Sequence, residues 1–175
     1  MKALVVFESL YGNTATIGRA VAASLREHGL EVQDRLLSEI EPGATVGYDL
    51  LVVGGPTHTH GMSKPDTRRQ AAEDAKNAFA ERTVEPGLPD WLDRLPRGTG
   101  QLAAAFDTRI DKPAILTGSA AKHIAKRLRA HGYRALGDPE SFFVTMRNEL
   151  AEGETGHAAT WGASLARRAT ESAAS

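Results

Sequence analysis

The 175-residue chain contains no cysteine. That excludes disulfides, thiolate-held iron–sulfur clusters and cysteine nucleophiles, and it suits a reducing compartment, so a cytoplasmic location is expected. No apolar run approaches the roughly 20 residues of a membrane span. Met1-Lys2-Ala3 runs straight into a hydrophobic segment, so no signal peptide is expected. An excess of charge is missing too: 21 basic residues stand against 22 acidic ones, a formal net charge of −1. Bulk charge therefore gives no reason to expect a nucleic-acid partner. The length fits one domain over residues 1–175, long enough to bury a core without covalent staples.

What the chain does have starts with its first strand. Ala3-Leu4-Val5-Val6-Phe7 is a continuous apolar segment, as expected for a strand buried on both faces. The polar run Ser9-Leu10-Tyr11-Gly12-Asn13-Thr14 follows, after which Ile17, Val21 and Leu25 recur at a helix period. A strand that turns through hydroxyls and glycine into a helix makes an anion site. The first helical N–H groups lack partners, and the helix dipole adds partial positive charge. The loop has no lysine of the kind G-x-x-x-x-G-K-[ST] requires for a nucleoside triphosphate. The dinucleotide fingerprint needs three glycines, and this turn has only Gly12. What remains binds by neutral hydrogen bonds and suits a terminal monoester phosphate. The missing cysteine also sets aside the small tyrosine phosphatases, whose loop depends on a thiolate. The plain alternative is a strand–helix turn with Thr14 as N-cap.

Further along, Gly29 is expected to close the first helix. Residues 30–36 read as a second, more exposed strand, and residues 48–55 as a third, buried one. Gly55-Pro56-Thr57-His58-Thr59-His60-Gly61-Met62-Ser63 is a loop bounded by helix-hostile residues. A helix is expected over 64–80, entered at Pro65, and a short one around 91–95 within a proline- and glycine-rich connection. Residues 102–106 read as a fourth strand, followed by Asp107-Thr108-Arg109. In the next helix Ala121, Ile124, Ala125 and Leu128 share one face, while Lys122, Lys126 and Arg129 line another. The basic stretch 122–134 reads first as a solvated face and second as a docking patch for an acidic redox partner. Residues 133–136 and 140–144 read as two parts of an interrupted fifth strand, and residues 158–170 as a closing helix. Strands alternating with helices imply an α/β fold: a doubly wound, five-stranded parallel sheet, order 2-1-3-4-5, with helices on both faces. Ligands of such sheets sit beyond the carboxyl ends of the strands, which gathers residues 9–14, 56–62 and 107–109 around one site.

On these residues the chain resembles the flavodoxins, which carry FMN. Their phosphate loop, [ST]-x-[TY]-G-x-T after the first strand, is matched throughout by Ser9-Leu10-Tyr11-Gly12-Asn13-Thr14. The resemblance implies a flavodoxin-like fold over nearly the whole chain. It further implies that loops after the third and fourth strands enclose the isoalloxazine ring. Those loops are Pro56-Thr57-His58-Thr59-His60-Gly61-Met62 and Phe106-Asp107-Thr108-Arg109. Neither contains the tryptophan or tyrosine that flanks the ring in many flavodoxins. The chain is closer to a subgroup with Gly-Gly-Pro-Thr-His and Phe-Asp-Thr-Arg in these places. The near-neutral charge also differs from the acidity typical of the family.

The roles implied are specific. Ser9, Tyr11 and Thr14 hydroxyls, with the backbone amides of Leu10 to Thr14, would bind the phosphate. Gly61 would let the backbone approach the ring edge and change conformation. His58 or His60 would give a flat face or a donor, and Asp107, Thr108 and Arg109 would reach the ribityl chain and pyrimidine end. Other readings stand beside these. His58 and His60 suit a metal pair but have no third ligand, and Arg109 has Asp107 and Asp111 nearby as ion-pair partners. Glu8 suits a phosphate-accepting receiver domain, but Gly54-Gly55-Pro56 replaces the aspartate that domain needs. The leading expectation is an FMN-binding electron carrier working with redox partner proteins, as monomer or homodimer. An NAD(P)H- or quinone-type reductase of the same fold, or a flavin-free phosphate-binding interaction module, stays open.

Overall fold

A computed structural model describes residues 1–58, 61–73, 86–112 and 118–174. The central strands are continuous apolar runs because helices cover both of their faces. β1 (Lys2–Phe7) is buried at every position after Lys2, and β3 (Leu50–Pro56) is buried throughout. β2 (Glu31–Leu36) alternates exposed and half-buried side chains, as an edge strand does. The pairings between these strands are all parallel, in the order β2-β1-β3-β4-β5, with β6 also on β4.

β4 (Leu102–Ile110) is longer than expected. The expected loop Asp107-Thr108-Arg109 is part of this strand, paired with Gly55 and Pro56 on one side and with β6 (Glu140–Val144) on the other. The fifth strand is interrupted as expected. β5 (Arg134–Ala135) pairs with Leu102 and Ala103, and β6 joins β4 only at Phe106. Gly137 at φ 98° turns the chain between them.

The helices are α1 (Asn13–Glu27), α2 (Pro65–Glu73), α3 (Leu88–Asp93), α4 (Ala120–Ala130) and α5 (Glu154–Ala173). The expected helix over 64–80 is seen in α2, and residues 74–80 lie outside the described ones. Trp91, Leu92 and Leu95 all point inward, as their spacing suggests. α5 starts earlier than the expected 158, with the Glu154 carboxylate accepting a hydrogen bond from Phe143 N at 3.1 Å.

Strand alternation divides the apolar side chains into two cores. Val5, Phe7, Val52 and Phe106 meet Ile17, Val21 and Leu165 under α1 and α5. Leu4, Val6, Val53 and Ala105 meet Trp91, Ile124 and Leu128 under α3 and α4. Glycines permit close approaches at Gly54 and Gly162. A Cβ on Gly54 would lie 2.0 Å from the Phe106 ring, and one on Gly162 would lie 2.8 Å from Ser24 Cβ, where α5 crosses α1.

Candidate functional site: a cleft at the carboxyl ends of β1, β3 and β4

The loop between β1 and α1 is shaped by its own first hydroxyl. Ser9 Oγ is buried and accepts hydrogen bonds from Gly12 N at 3.1 Å and Ala15 N at 3.2 Å. Gly12 is the N-cap of α1, at φ 93°, a conformation that favours glycine. Gly12 is therefore the cap that the plain strand–helix alternative gave to Thr14, which lies inside the first turn. The N–H groups of Tyr11, Asn13 and Thr14 have no acceptor among the described residues. Three donors at one helix start, with the dipole behind them, are what a phosphate monoester requires.

Around this loop lies a cleft of about 130 Å³ lined by Leu10, Tyr11, Asn13, Thr14, Pro56, Thr57, His58, Thr108, Arg109, Ile110, Val144 and Asn148. It is smaller than the roughly 300–1,000 Å³ of sites that enclose a small ligand, so a mononucleotide here keeps part of itself at the surface. Thr14 Oγ1 and Thr108 Oγ1 share a hydrogen bond of 2.8 Å, joining the loop to β4. Asn13 Nδ2 donates to Asn148 O at 2.8 Å and to Asn148 Oδ1 at 3.1 Å, joining it to the segment after β6.

The second wall is the turn after β3. His58 N donates to Gly61 O at 2.8 Å, and Gly61 N donates to His58 O at 3.0 Å, a closed turn whose central Thr59 and His60 lie outside the described residues. His58 Nε2 is buried without a partner among the described residues. Burial pushes the imidazole below its ordinary value of 6.5 and keeps it neutral near pH 7. Gly61 does not use the left-handed region. Its missing side chain makes room for His123, whose Nδ1 would lie 3.2 Å from a Cβ there.

The third wall differs most from expectation. Phe106 points into the α1–α5 core, edge-on to Phe142 and Trp161 at 6.0 Å, and does not border the cleft. Asp107 faces the opposite way and is fully buried. Its Oδ2 accepts from Thr57 Oγ1 at 2.9 Å, Ser119 Oγ at 2.8 Å and Ala121 N at 3.0 Å. Asp107 thus fastens the start of α4 and fixes Thr57. Arg109 donates to Lys112 O, and its guanidinium lies 4.9 Å from the Phe143 ring centroid. Thr108 and Arg109 do line the cleft. Sequence reasoning missed Ile110, Val144 and Asn148. The segment after β6 also ends at the carboxyl edge, and that topological signal alone was enough to include it.

The donor set fits FMN: three unpaired N–H groups for the phosphate, threonine hydroxyls beside them, and a buried neutral imidazole with an unsatisfied nitrogen. Comparison with known proteins agrees. The family model described as Flavodoxin matches residues 5–92. No curated protein matches the chain. Among solved structures, a flavodoxin from the domain Archaea is 20% identical, with TM-score 0.67, over 97% of this chain and 99% of that one. Oxidised Flavodoxin 1 from Bacillus cereus is 20% identical, with TM-score 0.69, over 95% and 98%. A Streptococcus pneumonia TIGR4 flavodoxin is 16% identical, with TM-score 0.69, over 96% and 99%. The fold is theirs, and by the family match over half of its length the chain belongs to the flavodoxin family, with FMN as its cofactor and electron transfer as its function.

Proposed function

We propose that the chain is a cytoplasmic electron carrier that anchors FMN by its phosphate on residues 9–14 and leaves the redox-active ring at the rim of the cleft. The observation that carries this reading is the trio of unpaired N–H groups of Tyr11, Asn13 and Thr14 at the start of α1. The bound flavin would supply one-electron chemistry.

The residues around it have separate tasks. Ser9 holds the loop open by taking two of its N–H groups, so the others face outward. The Thr14–Thr108 pair puts hydroxyls next to the phosphate position. Asn13 closes the loop against Asn148. Asp107 holds Thr57 and α4 in place from below, a positioning task instead of the expected contact. Arg109, beside the cleft, would favour the negative charge that reduction brings, raising the potential. The missing cysteine and the absence of a membrane-crossing helix among the described residues accord with a role in the cytoplasm.

The test is a titration of FMN into purified apoprotein, followed by flavin fluorescence and then by absorbance during stepwise reduction. Saturable quenching at one FMN per chain is expected. FMN that stays fluorescent at every protein concentration overturns the proposal.

A further inference from the structure

α4 contains no acidic residue. Arg127 is paired with Asp93 on α3 and donates to Pro89 O. Lys122, Lys126 and Arg129 are exposed and have no ion-pair partner among the described residues. A basic helix alone is a solvated face. Three observations take this one further.

First, a depression of about 340 Å³ opens between α4 and the turn after β3, lined by Met62, His123, Lys126, Arg127 and Ala130. It combines apolar Met62 and Ala130 with cationic Lys126 and Arg127, the mixture found where a protein contact has an uncharged part and a polar rim. Second, the depression adjoins the cofactor cleft. The His123 ring lies against Gly61, in the turn that also carries His58 into the cleft. Third, charge is segregated along a nearly neutral chain. Residues 112–137 include Lys112, Lys122, Lys126, Arg127, Arg129 and Arg134 and no acid. Residues 31–49 include Glu31, Asp34, Glu39, Glu41 and Asp49 against Arg35 alone. The sheet order sets β2, with Glu31 and Asp34, and β5, with Arg134, at opposite edges.

We propose that the exposed face of α4, with the depression beside Met62, docks an acidic electron-transfer protein next to the flavin. An acidic partner is attracted to this face, so the field of the exposed cations orients it before contact. Electron transfer then occurs across the turn at Gly61 and Met62. This inference rests on the electron-carrier reading and adds the chemistry and place of the partner.

The test uses FMN-loaded, reduced protein in stopped flow against two oxidised probes of opposite charge. One is an acidic blue-copper protein, plastocyanin, and the other is basic cytochrome c. In each reaction one electron leaves the flavin and reduces Cu(II) to Cu(I) or Fe(III) to Fe(II). The rate constant with plastocyanin is expected to fall about tenfold or more as salt rises, as attraction is screened. The double variant Lys122→Glu/Lys126→Glu is expected to slow plastocyanin about tenfold at low salt and to speed cytochrome c. Glu31→Lys, at the opposite edge, is expected to change either rate less than about twofold. A plastocyanin rate that rises with salt, or a double variant within about twofold of the parent, overturns the docking proposal. FMN titrations of each variant keep the two readings apart. Should the parent chain take up no FMN, the carrier reading fails, and calorimetric binding of plastocyanin to the chain at low salt decides the docking surface by itself.

Discussion

At the scale of single residues, the cleft depends on hydroxyls and one imidazole. Thr14→Ala removes a group beside the phosphate position and leaves Thr108 without its partner. It is expected to weaken FMN binding by about 1.5–3 kcal/mol, as for a hydrogen bond to a charged group, and Thr14→Ser is expected to restore most of the loss. Fluorescence titration of the three proteins checks both. His58 gives the apoprotein an acid sensitivity whose sign is fixed by its burial. Its folded value is lowered from 6.5, so above that pH both states are neutral and the residue adds no pH dependence. As pH falls below 6.5, the unfolded chain binds the proton first, and stability drops until the folded value is passed. His58→Gln is expected to flatten the decline of the urea midpoint between neutral pH and that lower limit. The turn between β1 and α1 was legible in the sequence because it is local: a strand, a turn and a helix period lie within consecutive residues. The role of Asp107 was not, since its donors are Thr57, Ser119 and Ala121, brought together only by the sheet.

At the scale of elements, the length of β4 explains most of the differences from expectation. Continuing the strand through residues 107–110 makes side chains alternate, so Phe106 enters one core while Asp107 faces the other. A loop, as expected from the polar Asp-Thr-Arg sequence, would have let neighbouring side chains share a surface. Pairing with β6 overrides that local polarity. The same packing makes Gly54 a requirement of the β3–β4 contact. Gly54→Ala would bring a methyl group within 2.0 Å of Phe106. A loss of about 1–3 kcal/mol is expected, partly recovered when Phe106→Leu is added. Urea unfolding of the single and double variants measures this coupling. The interruption of the fifth strand was readable at Gly137-Asp138-Pro139, because glycine and proline announce a break on their own.

At the scale of the whole molecule, binding should appear as global stability, since the cleft takes residues from both sequence halves. Tyr11, His58, Thr108 and Asn148 all line it, so unfolding any wall destroys the site. FMN at about 100 times its dissociation constant is expected to stabilise the fold by roughly 2.7 kcal/mol and raise the melting midpoint by about 5–11 °C. Calorimetry with and without FMN checks the shift, and an unchanged midpoint contradicts the assigned cleft. The placement of the indoles has an optical consequence. Trp91, on the inner face of α3, is wholly buried, its Nε1 donating to Ile40 O at 2.8 Å, and Trp161 is half-buried against Phe106 and Phe142. Neither borders the cleft. Their emission is therefore a remote antenna for the flavin: dimming on cofactor uptake would come from resonance transfer through the protein, and the wavelength of the buried indole would stay where it was.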